Sequence, residues 1–174
     1  DADTKGSYKR IVGDASCYTL AWLEKRELLA VGTTIQGGSG TQPKVKQAVL
    51  FLWDYKAEKK VWEGSPDRPV ETFNSLVAAP DGKIYGTMTG GGVSELFAFD
   101  PSKRIFIARM ALPEGSPLDN GLQTGPDGAV YGFTSTCIYR FRPPSLAAEV
   151  IVRDTEGLHV PGPIVGKEAF YARG

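Results

Sequence analysis

Two asparagines at matching positions of an internal repeat are the first residues that suggest a binding site in this chain. Asn74 and Asn120 lie 46 residues apart, and each is followed two residues later by a leucine. Carboxamide groups brought together in this way could bind a sugar hydroxyl through either polar atom, or a metal ion through the oxygen. The alternative is that each asparagine caps a turn by local bonds from its side chain to the backbone.

His159 is the only histidine, and imidazole is the group that a lyase would use as a general base near neutral pH. Spacing assigns it no acidic partner, so a loop histidine without a catalytic role is the competing interpretation. Cys17 and Cys137 have neither a Cys-x-x-Cys spacing nor neighbouring histidines, which argues against zinc and favours two buried thiols. The cysteines leave the compartment open, with export or a periplasmic location among the options.

The three tryptophans could stack on a carbohydrate ring, but their positions also suit a packing role. Trp53 stands at the repeat position of Phe99, so we expect it to pack between neighbouring sheets rather than to face a ligand. The same choice applies to Trp22 and Trp62.

Length, charge and composition bound the kind of protein. The chain has 174 residues and a mass of 18.8 kDa, which suits one domain with a sizeable core. Its 20 basic and 20 acidic residues give a formal charge of zero, which argues against nucleic acid and anionic membranes as partners. No apolar run approaches the roughly 20 residues of a spanning helix. The chain begins at Asp1 without a visible signal peptide, so a cleaved or trimmed product is expected.

The repeat that relates the two asparagines also predicts the fold. Segments 73–86 and 119–132 share Asn, Leu, Pro-Asp-Gly and Tyr-Gly at one offset. Short alternating runs separated by turn residues predict four antiparallel strands in each unit. We therefore predict an all-β fold, a partial β-propeller of four-stranded antiparallel blades, with a two-layer β-sandwich as the alternative. Three complete blades are expected at 17–63, 74–109 and 120–153, with partial ones at 162–174 and, as an isolated strand, at 8–13.

The blade sequences resemble those of known propeller families. Leu122 to Gly132 carries the pattern Leu-x-x-Gly-Pro-Asp-Gly-x-apolar-Tyr-Gly, and Leu96 to Pro101 is an apolar strand that ends in Phe-Asp-Pro. These segments are similar to blades of the virginiamycin B lyase-like, SMP-30-like and NHL-like propellers. The resemblance covers residues 18 to about 171 blade by blade, and such blades occur in enzymes and in binding modules.

The resemblance also implies where a ligand would bind. Propellers of this kind present ligands at the loops before the first strand and between the second and third strands of each blade. SMP-30-like enzymes hold a divalent metal there with Glu, Asn and Asp, and no acidic residue is expected at a first-strand position of this chain. Virginiamycin B lyase-like enzymes use a histidine and a magnesium-binding carboxylate, and the residues around His159 do not match that pattern. The predicted ligand-binding residues are Tyr18, Gln36, Asn74, Thr89, Asn120, Thr134 and His159.

Two functional hypotheses follow from these residues. The first is a non-catalytic domain that binds a small molecule or a protein at the mouth of the channel, without a resident metal or cofactor. The second is a metal-assisted lyase or hydrolase for a sugar-like or lactone substrate, which would require Ca²⁺ or Mg²⁺. Closed propellers of this type usually have six or seven blades. We therefore expect the chain to belong to a larger propeller, to pair with a second copy or to close as a four-bladed ring.

Overall fold

The computed structural model describes residues 11, 15–36, 45–155, 157–166 and 168–173. These residues form fourteen β-strands and one 3₁₀ turn, Glu24–Arg26. The strands group into three four-stranded units and one pair, which we number blades 1 to 4 in chain order. Blade 1 contains β1 (Ser16–Leu23), β2 (Leu28–Thr34), β3 (Leu50–Asp54) and β4 (Lys59–Gly64). Blade 2 contains β5 (Thr72–Ala78), β6 (Ile84–Gly90), β7 (Val93–Asp100) and β8 (Ile105–Ala111). Blade 3 contains β9 (Pro117–Thr124), β10 (Val130–Thr134), β11 (Cys137–Phe141) and β12 (Glu149–Arg153), and blade 4 contains β13 (Leu158–Val165) and β14 (Glu168–Arg173).

Each blade is an antiparallel meander whose strands follow one another in chain order. A single bridge between Thr34 and Thr72 joins the first two blades at one end, so their eight strands form one curled sheet. The first strands β1, β5 and β9 lie side by side, and β13 lies beside β9. This arrangement confirms the all-β partial propeller, because a sandwich would sort the strands into two facing layers.

Pro-Asp-Gly turns connect the first and second strands of blades 2 and 3. Gly82 and Gly128 have φ angles of 77° and 74°, a left-handed conformation that glycine adopts without a steric penalty. Asp81 and Asp127 each accept a hydrogen bond from the backbone N–H two residues later. These side chains close the turns locally, as the sequence predicts for aspartate in such a position.

The core lies between the blades, where the apolar face of one sheet packs on the next. Leu50 of blade 1 is buried with Phe73 and Phe97 of blade 2, whose rings meet edge to face with their centroids 5.5 Å apart. Tyr85 of blade 2 packs against Phe141 of blade 3, with ring centroids 5.5 Å apart. Each fully buried aromatic of this kind contributes about 1.5–3 kcal/mol of hydrophobic stabilisation. Stacking of successive sheets therefore holds the chain together.

Trp53 departs from its predicted environment. The residue at its repeat position, Phe99, is buried between blades 1 and 2, where its ring lies 4.7 Å from that of Trp62. Trp53 is instead half-buried against Val31 and Phe51, on the other face of blade 1. Trp53 and Phe99 occupy the same position of their blades. Their burial differs because blade 1 covers Phe99, whereas no sheet among the described residues covers the face of blade 1 that carries Trp53.

The ends and the cysteines complete the description. The strand predicted at 8–13 lies outside the described residues except for Ile11, which packs against Val31 and Phe51. Both cysteines are free thiols, and the prediction that both are buried is wrong for Cys17, which is exposed, and right for Cys137. Among the residues described, no helix has the length and apolarity needed to cross a membrane.

Candidate functional site

The first strand of each complete blade is irregular close to where it begins. In β1 the pairing skips Tyr18, and in β5 it skips Asn74, because one extra residue is inserted between two consecutive pairs. In β9, residues 118–121 stand opposite the single residue Phe133 of the neighbouring strand. Such β-bulges redirect side chains out of the regular alternation and are frequent next to active sites. The repeat therefore places a redirected polar side chain on three consecutive inner strands.

These three strands begin at the same end of the molecule, which we call the rim. The pairs Ser16 with Thr34 and Thr72 with Thr89 show that the second strands end where the first strands begin. Thr134 stands in the same way opposite the first residue of β9. The loops before the first strands and those after the second strands therefore meet at the rim, where the sequence predicted ligand contacts.

A carboxylate joins the three bulges. Asp119 of β9 accepts a hydrogen bond from the Tyr18 hydroxyl group of β1 on its Oδ2 atom. Its Oδ1 atom accepts a second hydrogen bond from the Asn74 Nδ2 group of β5, at 3.1 Å. We call Tyr18, Asn74 and Asp119 the rim cluster. Asp119 is exposed, whereas Asn74, which donates to it, is almost fully buried. The carboxylate is therefore open to solvent and is held from below by a buried amide group.

Electrostatics in the rim cluster favour one protonation state of the phenol. The hydrogen bond to Asp119, partial burial and the negative charge of Asp119 together raise the pKa of Tyr18 to about 12. Tyr18 therefore stays a hydrogen-bond donor across the physiological pH range. The Oδ1 atom of Asn74 is buried, and no described group forms a hydrogen bond with it. A buried acceptor of this kind is available to a water molecule or an ion.

Asn120 takes a different position from the one that the repeat suggests. It is exposed next to Asp119 and has a φ of 53°, a left-handed conformation that asparagine tolerates better than most residues. The residue that meets Asn74 is thus Asp119, and the expectation that no acidic residue occupies a first-strand position is wrong. The repeat hid this residue because it aligns Asp119 with an apolar residue, Phe73.

The other predicted residues lie at the rim with different roles. Gln36 is exposed just after β2, and its backbone N–H donates to the Thr34 hydroxyl group at 3.1 Å. Thr89 is half-buried at the end of β6. Thr134 is fully buried, and its hydroxyl group bonds with the backbone of Cys137. The turn cap considered for Asn74 does not describe its amide group, which donates to the distant Asp119. His159 belongs to β13, and its side chain lies outside the description.

The rim cluster offers the type of ligand that a divalent metal prefers, but it offers too few of them. The Asn74 Oδ1 atom and the Asp119 carboxylate are oxygen donors of the kind that Ca²⁺ and Mg²⁺ prefer. Ca²⁺ takes six to eight such ligands, and the Tyr18 hydroxyl group already donates to the carboxylate. No group of three or more His, Cys, Asp or Glu residues in the described parts could hold a metal. The described residues therefore form at most a part of a metal centre.

Two open grooves lie away from the rim cluster. One of about 770 Å³ lies at the opposite end of the inner strands, between the 3₁₀ turn and the β5–β6 turn. Its two carboxylates are Glu24 of the 3₁₀ turn and Asp81, and Asp81 is paired with Lys83 of its own turn at 3.2 Å. A second groove of about 740 Å³ runs between β4 and β8 on the outer side, where Asp67 pairs with Arg109. Among the described residues, only the rim cluster combines an exposed carboxylate with neutral donors from separate blades, so it is the better candidate.

Comparisons with known proteins support the fold. The sequence matches no protein-family model, and no curated protein matches it. A Bacteroides caccae protein of unknown function is structurally similar with a TM-score of 0.53 and 9% identity, over 89% of this chain and 51% of that protein. A gluconolactonase from Xanthomonas campestris is similar with a TM-score of 0.54 and 13% identity, over 84% of this chain and 50% of the enzyme. The chain thus spans about half the length of both proteins, and the similarity supports a propeller-like fold without indicating an activity.

Proposed function

We propose that this chain is a ligand-binding part of a β-propeller and that its rim cluster binds a small, hydroxyl-bearing, sugar-like molecule. The observation that carries the proposal is the exposed Asp119 carboxylate, which Tyr18 and Asn74 hold from two sides. Each carboxylate oxygen accepts about two hydrogen bonds, so one position on each oxygen remains for a ligand. Hydroxyl groups suit these positions because they donate, and the carboxylate needs no reorganisation to accept them.

Binding fits the rim cluster better than catalysis does. A general base must change its protonation state near the working pH, whereas Tyr18, with a pKa of about 12, stays protonated. The Asn74 amide group does not titrate. Two of the three groups in the cluster, Tyr18 and Asn74, thus keep one hydrogen-bonding state, which suits a binding site.

A metal-assisted hydrolase for a lactone is the second candidate. The similarity to a gluconolactonase over 84% of this chain favours it, together with the orphaned Asn74 Oδ1 atom beside the Asp119 carboxylate. The remaining metal ligands would have to come from residues other than those described. We therefore rank this candidate second.

Titration with three probes tests the proposal. D-glucose, sorbitol and D-glucono-1,5-lactone would be added to the ¹⁵N-labelled chain at millimolar concentrations and followed by NMR. We expect saturable shifts of the backbone amides of Tyr18 and Asn74 with at least one probe, and at least tenfold weaker binding by Asp119→Ala, about 1.4 kcal/mol. Asp67→Ala, which removes an exposed carboxylate on the outer side, is the matched control. Failure of all three probes, or equal binding by Asp119→Ala, would contradict the proposal.

A parallel assay separates the two candidates. Lactone hydrolysis would be measured with and without CaCl₂ or MgCl₂ for the unmodified chain and for Asn74→Ala. Hydrolysis that depends on the metal and on Asn74 would establish the enzyme, whereas probe binding without hydrolysis supports the binding domain.

A further inference from the structure

The groups that the rim cluster leaves open to a ligand are hydrogen-bond acceptors. Tyr18 and Asn74 both donate to the Asp119 carboxylate, so the hydroxyl hydrogen and an amide hydrogen point at it rather than at a ligand. The exposed side keeps the remaining lone pairs of the carboxylate and those of the Tyr18 hydroxyl oxygen. A ligand group that binds the carboxylate must therefore donate hydrogen bonds.

The rim cluster as a whole carries one negative charge. The two residues that hold Asp119 are neutral, because the Tyr18 phenol stays protonated and the Asn74 amide group does not titrate. The hydrogen bond to Asp119, partial burial and the charge of Asp119 together raise the pKa of Tyr18 to about 12. A cationic donor gains Coulomb attraction to the carboxylate as well as a charge-assisted hydrogen bond, whereas a neutral hydroxyl group gains less. A cation therefore suits Asp119 better than a neutral donor does.

The Tyr18 ring and the Asn74 oxygen also favour a cation. Tyr18 is 39% exposed and its hydroxyl group contacts the Asp119 carboxylate, so a cation bound to Asp119 lies close to the ring. Aromatic faces attract cations within about 6 Å of the ring centre. The Asn74 Oδ1 atom, on the amide group that donates to Asp119, is buried and has no hydrogen-bond partner among the described groups. A second acceptor beside the carboxylate suits a group that has several donors.

We propose that the ligand of the rim cluster is an amino sugar, whose protonated amino group donates to Asp119 while its ring packs against Tyr18. A primary ammonium group has three donors and no acceptor, which matches a cluster that offers acceptors. The inference rests on the function proposed above, because it assigns a chemical class to the sugar-like molecule at the same site. It also predicts which ligands are rejected, since a sugar acid brings a second negative charge next to Asp119.

Three sugars of similar shape and different charge test the proposal. D-glucosamine is cationic when its amine is protonated, D-glucose carries a neutral hydroxyl group in place of that amine, and D-glucuronate is anionic. Each would be titrated into the ¹⁵N-labelled chain at mildly acidic pH, with the backbone amides of Tyr18 and Asn74 as reporters. We expect D-glucosamine to bind roughly fivefold more tightly than D-glucose, the upper gain from one exposed charge pair, and D-glucuronate to bind most weakly.

Two variants of nearly unchanged shape separate the amine-binding position from the overall charge of the rim. Asp119→Asn removes the charge, so D-glucosamine and D-glucose should bind this variant about equally. Glu71→Gln is the matched control, because Glu71 is exposed immediately before β5 at the same end and accepts a hydrogen bond from the Gly91 N–H at 3.2 Å. Glu71→Gln should keep most of the preference for D-glucosamine.

A pH titration gives a second measurement that needs no variant. Raising the pH until the sugar amine is neutral should remove the preference for D-glucosamine, while Tyr18, with a pKa of about 12, stays protonated. Should Asp119→Asn prove unfolded by circular dichroism, this titration of the unmodified chain decides.

The outcomes separate this inference from the function on which it rests. Equal binding of D-glucosamine and D-glucose by the unmodified chain would overturn the amino-sugar proposal and leave sugar binding intact. The same loss of preference in Glu71→Gln as in Asp119→Asn would also overturn it, since the amine would then respond to the general charge of the rim. If no sugar shifts the amides of Tyr18 or Asn74, the proposed function fails together with this inference.

Discussion

The Tyr18 hydroxyl group donates a hydrogen bond to the Asp119 carboxylate although 101 residues separate the two in the chain. Asn74 lies on the inner strand between them and donates to the other oxygen of the same carboxylate. One acceptor therefore ties three consecutive blades together at the rim. Because each donor is a different chemical group, its contribution can be measured separately.

Replacing Asp119 with asparagine should lower the pKa of Tyr18 from about 12 toward its ordinary value of 10.0. The substitution removes the carboxylate acceptor and its negative charge, which both favour the protonated phenol. Spectrophotometric titration of phenolate absorbance measures the change, with Tyr18→Phe as the reference that identifies this residue. A Tyr18 pKa that stays near 12 in Asp119→Asn would show that the hydrogen bond does not cause the shift.

The same shift predicts a loss of stability in alkaline solution. The pKa of Tyr18 is higher in the folded chain than in the unfolded one, so its contribution is fully present below pH 10 and is lost as pH rises through 12. Urea unfolding of the unmodified chain and of Tyr18→Phe should therefore show a difference in free energy that shrinks across this interval. Two curves that remain parallel from neutral pH to pH 12 would refute the prediction.

Ser75→Ala should destabilise the contact between blades 2 and 3. The buried Ser75 hydroxyl group accepts a hydrogen bond from the backbone N–H of Leu122 at 2.9 Å. Alanine leaves that N–H buried without a partner, which costs about 1–3 kcal/mol. Urea unfolding measures the change, and Ser102→Ala, which removes an exposed acceptor of Arg26, serves as the control with an expected change within about 0.5 kcal/mol. Equal stability of Ser75→Ala and the unmodified chain would contradict this role.

Gly132→Ala should destabilise blade 3 by steric conflict. A Cβ atom at Gly132 would lie 2.0 Å from the ring of Tyr139, and at Gly86 it would lie 2.3 Å from the ring of Phe97. Each glycine leaves room for an aromatic side chain of the third strand, and overpacking of this kind costs about 1–3 kcal/mol or more. Gly82→Ala is the comparison, since it meets no atom within 4 Å and changes only a left-handed backbone conformation. Thermal unfolding should rank Gly132→Ala and Gly86→Ala, which both alter second strands, below Gly82→Ala.

Much of the fold could be predicted because each copy of the repeat contains the residues that form its turns. Pro-Asp-Gly marks the return from first to second strand, and Tyr-Gly marks the place where an aromatic of the third strand packs over a glycine, as at Gly86 and Phe97. Both signals act over a few residues, so a sequence shows them directly. The environment of Trp53 is different, because its burial depends on whether another sheet covers it.

The rim cluster could be predicted only in part. Asn74 stood out because the repeat contains a second asparagine at the same position, and Tyr18 because it begins a strand. Asp119 could not be found in this way. In β9 four residues, 118–121, lie opposite one residue of β10, whereas β5 has one extra residue at Asn74, so the spacing of the two strands differs. Such a shift depends on how two strands pair, and the repeat alignment, which assumes equal spacing, conceals it.

Asp81→Asn should remove part of the stability that the chain loses in acid. Burial raises the pKa of Asp81, but hydrogen bonds from Tyr85 and Lys83 outweigh this and lower the pKa below its ordinary value of 3.8. A lowered pKa stabilises the fold above pH 3.8, and this contribution is lost as pH falls through the folded-state value. Urea unfolding between neutral pH and strong acid should therefore show a shallower decline for Asp81→Asn than for the unmodified chain. Asp127→Asn, at the equivalent turn of blade 3, should behave in the same way, because the pKa of Asp127 is also lowered. Parallel acid curves for all three proteins would show that these turns do not contribute to acid unfolding.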